Sequence, residues 1–292
     1  MSTTDPLTST FEQNRDHLRA VAYRMLGSLA DAEDAVQDAW VRASTASVDG
    51  VENLAGWLTT VTSRVCLNML RTRRTHPEQS LDDVHVPDPV LAPLDTHGPE
   101  HDAVQADSVS VALLVVLETL SPTERLVFVL HDLFAMPFEE IAPIVERTPA
   151  ATRKLASRAR ARVQSGAPAP VPLAEQRRVV DAFLSAARGG DLDELMSVLA
   201  PDMVIRTDNA RDELPRRIVG ADAAARGAVT FQQFVERTRM LRLNDGIGVV
   251  SFKGGRVASV AAFAVADGRV VAMNIVADPE RLAQWDLSCA YA

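Results

Sequence analysis

Between Thr148 and Val163 the chain sets Arg153, Lys154, Arg158, Arg160 and Arg162 in one stretch with no acidic residue among them. Guanidinium and ammonium groups in such a row neutralise phosphates, and an arginine early in a helix can also offer two donors to a base edge. Ser157 adds a hydroxyl to the same stretch. The elements that must position these groups are legible around them. Phe138, Ile141, Ala142 and Val145 recur at helical spacing on a first short helix. Thr148 then stands where an N-cap belongs, and Pro149 occupies the first helical position, where its missing N–H costs nothing. The second helix runs to about Val163, with Leu155, Ala159 and Val163 expected to form its buried face. Two short helices, a sharp break and one-sided positive charge make a helix-turn-helix suited to a major groove. A solvated basic helix in an ordinary bundle is the alternative reading.

A second basic helix is expected from Leu54 to Arg74. Trp57, Leu58, Val61, Val65, Leu67 and Leu70 should turn inward, with Arg64, Asn68, Arg71, Arg73 and Arg74 on the polar side. Upstream, DAEDAVQDAWVRA reads as a helix capped by Asp31, with Asp34 three residues on as a weak capping box. Asp31, Glu33, Asp34 and Asp38 make its first half strongly acidic, which suits the positive end of the helix dipole. Phe11, Leu18, Val21, Ala22, Met25 and Leu26 supply one apolar face of a preceding helix that stops at Gly27. Trp40 and Trp57 are read as core.

The formal net charge of −9 over 292 residues looks wrong for a DNA-binding chain. Its distribution resolves the conflict. Positive charge gathers in Arg64–Arg74 and Arg147–Arg162, and at physiological salt a phosphate senses charge within about one Debye length. Cys66 and Cys289 are the only cysteines and the six histidines are scattered, so neither a disulfide framework nor a metal or cofactor site is expected. No apolar run approaches the ~18 residues of a membrane span. The polar N-terminus lacks a secretory core, which points to the cytoplasm and to no membrane partner.

Proline-rich stretches divide the chain into three blocks: residues 1–75, about 107–165, and 173–292. The linker 76–106 has no lasting period and is expected to lack regular structure. The linker 166–172 is short and stiffened by alternating prolines. The last block opens with two helices, the first stopped by Gly189-Gly190 and the second begun by Asp191. Strand-like alternation follows, with Asp267-Gly268 as a hairpin turn. Helices followed by an antiparallel sheet read as α+β.

The ordered motifs DAEDAVQDAW, WLTTVTSRVCLNMLRTRR and LSPTERLVFVLHDLFAMPFEEIAPIVERTPAATRKLASRARARV together resemble an alternative sigma factor of the extracytoplasmic-function (ECF) class. The resemblance implies a multidomain chain: two all-α sigma domains, the second a helix-turn-helix, then an α+β cone. In that scheme residues 1–75 are sigma domain 2 and 107–165 sigma domain 4. The implied partners are bacterial RNA polymerase core, through its β′ clamp helices and β flap, and promoter DNA. Asp31, Asp34 and Asp38 match the polymerase-binding helix. Arg64, Asn68, Arg71, Arg73 and Arg74 match the face toward the −10 element. Arg153, Lys154, Ser157, Arg158, Arg160 and Arg162 match the −35 reader.

Residues 173–292 are similar to the SnoaL-like branch of the NTF2-like fold, a fusion found in a group of ECF sigma factors, where it implies regulation in cis. That group carries a DGGGK-type motif, which here reads DNARD from Asp208 to Asp212, and an NPDKL motif, here ADPER from Ala277 to Arg281 and then Leu282. Asp208, Asp278, Pro279 and Leu282 are the implied regulatory residues. The WLPEP-type linker motif is absent, with VPDPVL at 86–91 in its place. Stand-alone relatives include cyclases that use Asp and His, but no histidine lies between Leu173 and Ala292, so no catalytic residue and no enzyme is expected. Such a cone could still hold an unknown small ligand. Two competing readings stay open: a ligand-sensing helix-turn-helix factor acting without polymerase core, and a SnoaL-like cyclase or isomerase. The stiff second linker and the apolar Leu282, Trp285 and Leu287 suggest that the last domain holds the first two closed, with Trp285 capping the cone's own core as the alternative.

Overall fold

The computed structural model describes residues 5–75, 85–94, 109–208, 217–232 and 236–291. The chain forms two compact units, one of residues 1–82 and 116–166, the other of 83–115 and 167–292.

The first unit is helical. α1 (Pro6–Leu26), α2 (Leu29–Thr45) and α3 (Leu54–Thr75) pack together around Leu18, Val21, Met25, Leu26 and Leu58, all fully buried. α1 ends on Gly27 in the left-handed conformation, φ 71°, which glycine adopts without a Cβ penalty. Ser28, and not Asp31, caps α2: its side chain accepts from the Asp31 N–H. The capping spacing therefore begins one turn earlier than expected, and Asp31 lies inside the helix. Cys66 is fully buried, and burial pushes its thiol up to about 12, so it acts as a small apolar side chain.

Short helices follow: α4 (Val111–Glu118), α5 (Pro122–Phe128) running into a π-turn at Val129–Leu133, α6 (Phe138–Ile144) and α7 (Pro149–Gly166). Ser121 and Glu124 close a full capping box at the start of α5. Side chains of the two helical blocks themselves join them. Arg125 on α5 donates from Nη1 to the Met25 carbonyl (2.9 Å) at the end of α1, and both its terminal nitrogens meet the Glu118 carboxylate at 2.9 Å. The Phe134 ring meets His17 edge-on at 5.1 Å and lies under the Arg24 guanidinium at 4.5 Å.

The second unit is α+β. β1 (Leu91–Ala92), β2 (Leu199–Thr207), β3 (Arg217–Val219), β4 (Arg237–Leu243), β5 (Gly246–Lys253), β6 (Arg256–Ala266) and β7 (Arg269–Val276) form one sheet in the order β1-β4-β5-β6-β7-β2-β3. Among the described strands only the β2–β7 pairing is parallel. The expected punctuation holds: Gly190 (φ 67°) ends α8 (Leu173–Gly189), Asp191 caps α9 (Leu192–Val198), and Asp267 and Gly268 (φ 51° and 72°) turn the β6–β7 hairpin. One sheet face packs on α8 and α10 (Ala221–Gln232) through Phe183, Ile205, Ala224, Phe263 and Met273. The other face is covered by Val86, Val111 and the C-terminal α11 (Pro279–Leu282) and α12 (Ser288–Tyr291), with Leu282 and Trp285 in that core.

Two expectations are corrected here. Part of the linker does have regular structure, because Leu91–Ala92 add a strand to the edge of β4. Leu282 and Trp285 belong to the sheet's own core, where an alternating sheet needs a second apolar cover, and so are not a free interface. The remainder of that linker, 76–84 and 95–106, lies outside the described residues.

Candidate nucleic-acid interface

α7 begins as its sequence suggests. Thr148 Oγ1 accepts from the Ala151 N–H (3.3 Å), Pro149 is the first helical residue, and Glu146 at φ 55° makes the break from α6. Phe138, Ile141, Ala142 and Val145 are all buried. The buried stripe of α7 is Thr152, Ala156 and Ala159, while Leu155 and Val163 are half-buried. This small-residue stripe lets the helix lie close to its neighbours, and it turns Ala150, Lys154, Ser157 and Ala161 outward at helical spacing, with Arg153 and Arg158 beside them.

The five basic residues are not equivalent. Arg153 is 62% exposed and rests 5.2 Å over the Phe138 ring, with Glu139 at 3.9 Å. Lys154, Ser157 and Arg158 are exposed. Arg160 instead pairs with Asp132 in the π-turn at 2.5 Å, and Arg162 donates to Glu124 at 2.9 Å. Burial alone would push the Glu124 carboxyl up, but bonds from Ser121 and the charges of Arg162 and Arg158 outweigh it and hold it below the ordinary value. Arg160 and Arg162 therefore brace α7 against α5 and the π-turn.

On α3 the exposed side chains Arg64, Asn68 and Arg71 recur at three- and four-residue spacing. Trp57 and Val61 continue that stripe toward the N-terminus and are only half-buried, contrary to their reading as core. Helix periodicity explains this: Leu58, Val65, Leu67 and Leu70 already fill the inward face. Arg73 points the other way, pairing with Asp31 at 2.5 Å and reaching the Leu26 carbonyl. The side chain of Arg74 lies outside the described residues. On α2, Asp34 and Asp38 are exposed, whereas Asp31 is held half-buried by Arg73. Val41, 56% exposed, falls on the same stripe as Asp34 and Asp38, an exposed apolar side chain that the charge pattern alone did not reveal.

In the second unit Asp208 at the end of β2 is enclosed. Its Oδ1 accepts from the Ala277 N–H (3.0 Å) and its Oδ2 from the Asp278 N–H (3.2 Å). Arg281 lies 3.5 Å from the same carboxylate, donates to the Val86 carbonyl at 2.7 Å and pairs with buried Asp88. Asp278 caps α11, Pro279 is its first residue and Leu282 fills the core beneath. Asn244 holds the same segment from the other side: its Oδ1 accepts from the Val90 N–H (2.8 Å) and its Nδ2 donates to the Val109 carbonyl (2.7 Å). The sequence motifs thus meet in a clamp on residues 86–90. Asp88 and Asn244, which complete it, carried no sequence signal, and residues 209–212 of DNARD lie outside the described residues. No helix among the described residues is long and apolar enough to cross a membrane.

Comparisons with known proteins agree with this architecture. Residues 10–76 match sigma-70 region 2, and residues 110–163 match sigma-70 region 4. The chain is 35% identical over 294 residues to the ECF RNA polymerase sigma factor SigJ of Mycobacterium tuberculosis (strain ATCC 25618 / H37Rv), covering 94% of this chain and 92% of the relative. It is 33% identical over 288 residues to the probable ECF RNA polymerase sigma factor SigI of Mycobacterium tuberculosis (strain CDC 1551 / Oshkosh), covering 97% of each. The crystal structure of Mycobacterium tuberculosis SigJ superposes with a TM-score of 0.73 at 34% identity, over 96% of this chain and 99% of that one.

Proposed function

The chain belongs to the ECF RNA polymerase sigma factors, and on that premise we propose a role for each polar stripe and for the fused α+β unit. Residues 1–75 act as the polymerase and −10 domain, residues 107–165 as the −35 domain, and residues 173–292 as a regulator in cis. Asp34 and Asp38, with Val41 on the next turn, dock on the β′ clamp helices of core polymerase, and Asp31 keeps the helix in place through Arg73. The −35 domain engages the β flap. Arg64, Asn68 and Arg71 face the −10 element, with Trp57 offering a surface on which an unpaired base can stack. Arg153, Lys154, Ser157 and Arg158 read or hold the −35 element.

The observation that carries this reading is that α2, α3 and α7 each leave one outward stripe whose charged residues share a sign, negative on α2 and positive on the other two. A factor acting on DNA without polymerase needs no acidic stripe and no second basic helix. The clamp of Asp208 and Arg281 on residues 86–90 supports regulation in cis, because it fixes the middle of the segment that joins the two helical domains. Asp278, Pro279 and Leu282 hold Arg281 in position for it. The sheet's cavity is lined by apolar, hydroxyl and amide side chains, which supports a regulatory rather than a catalytic unit. Pull-down of core polymerase tests the docking: Asp34→Lys with Asp38→Lys abolishes capture while circular dichroism stays unchanged. Undiminished capture would overturn it.

A further inference from the structure

Between the sheet and helices α8 and α10 lies a cavity of about 130 Å³. Phe183, Leu184, Phe263, Met273 and Ile275 are among the apolar side chains of its wall. Set into that wall is a row of hydroxyls. Strand register places Thr238 on β4 opposite Ser251 on β5, and Ser251 opposite Ser259 on β6, and all three line the cavity. Ser251 is 4% exposed and Ser259 1%, and both line the cavity. Side by side on neighbouring strands, these hydroxyls can both bond one oxygen of a guest that enters the chamber.

Among the described residues the lining contains no Asp, Glu, Lys, Arg or His; Gln232 adds an amide. A charged guest would lose its water with no counter-charge from these residues to replace it, which disfavours carboxylates and amines. A chamber of similar size, about 150 Å³ and lined by aliphatic and aromatic side chains, takes up benzene. We infer that the cavity is a binding site for a neutral, one-ring molecule bearing a single hydroxyl or carbonyl oxygen. The ring lies against Phe183, Phe263 and Met273, and the oxygen meets Ser251 and Ser259. The assignment stands on the cavity alone and holds whether or not the unit regulates transcription.

Titration calorimetry of the full chain with p-cresol, toluene and p-toluate tests it without any transcription readout. Saturable binding is expected for p-cresol, about 3–10-fold weaker binding for toluene, which lacks the oxygen, and binding at least about tenfold weaker for p-toluate. Ser251→Ala with Ser259→Ala brings p-cresol down to the affinity of toluene and leaves toluene unchanged. Gly227 lies on α10 with an ordinary helical φ, and a Cβ there would meet only Ile218 Cδ1, at 3.9 Å. Gly227→Leu therefore fills the chamber while favouring the helix, and abolishes binding of both neutral probes. Absent p-cresol binding, p-toluate binding equal to that of p-cresol, or p-cresol heat that survives Gly227→Leu in a chain with unchanged circular dichroism overturns the inference. If Gly227→Leu misfolds, the serine pair decides: p-cresol affinity unchanged by its loss overturns the assignment.

Discussion

Arg153 and Arg160 stand seven residues apart on one helix, yet the first is largely exposed and the second is bonded to Asp132. Their substitutions should differ accordingly. Arg153→Ala is expected to cost about 1–3 kcal/mol of promoter binding and to relax specificity at one position, read by binding to a panel of −35 duplexes. Arg160→Ala should cost about 0.2–1 kcal/mol of stability, the worth of a partly exposed pair, and leave the sequence profile intact. Identical profiles for the two variants would refute this division. Glu124 gives a pH signature. Its folded value is depressed, so its contribution is present above the ordinary carboxylate value of 4.5 and is lost as pH falls through the lower folded value. Urea unfolding against pH should show that acid loss in the wild type and a smaller one in Glu124→Gln. Equal slopes would mean that the carboxylate is not coupled to folding.

Helices and turns were legible wherever local chemistry decides them. Thr148-Pro149, Gly190, Asp191 and Asp267-Gly268 do in the fold what their side chains predict, because each acts on neighbours within four residues. The cap of α2 was misassigned because Ser28 and Asp31 are both competent caps, and the choice depends on where the preceding helix stops. The clamp was only half legible. Arg281 and Asp88 are 193 residues apart, and no spacing rule joins them. Which arginines of α3 and α7 point outward was equally hidden, since Asp31, Asp132 and Glu124 select their partners through tertiary packing. Arg281→Ala removes the guanidinium paired with buried Asp88 and should destabilise the second unit by up to about 3–5 kcal/mol. Amide exchange should then accelerate at Val90, whose N–H now bonds Asn244, and at Leu91 on the edge strand. Unchanged exchange there would show that Asn244 and β1 suffice to hold the segment.

Taken together, the helical unit holds its region 2 and region 4 domains in mutual contact through their own side chains, Arg125 among them. Arg125→Ala strips Glu118 of its partner and frees the Met25 carbonyl, so loss of about 3–5 kcal/mol and a longer distance between spin labels on α2 and α7 are expected. An unchanged distance distribution would show that the contact does not set the arrangement. Above all, this chain should confer promoter-specific initiation on core polymerase and be restrained by its own third domain. Run-off transcription with bacterial core enzyme measures this directly, using the full chain, Arg281→Ala and the Asp34→Lys, Asp38→Lys pair. The full chain should give a discrete run-off product that core alone lacks, Arg281→Ala should change its yield, and the α2 pair should remove it. A full chain whose products match those of core alone would contradict the claim.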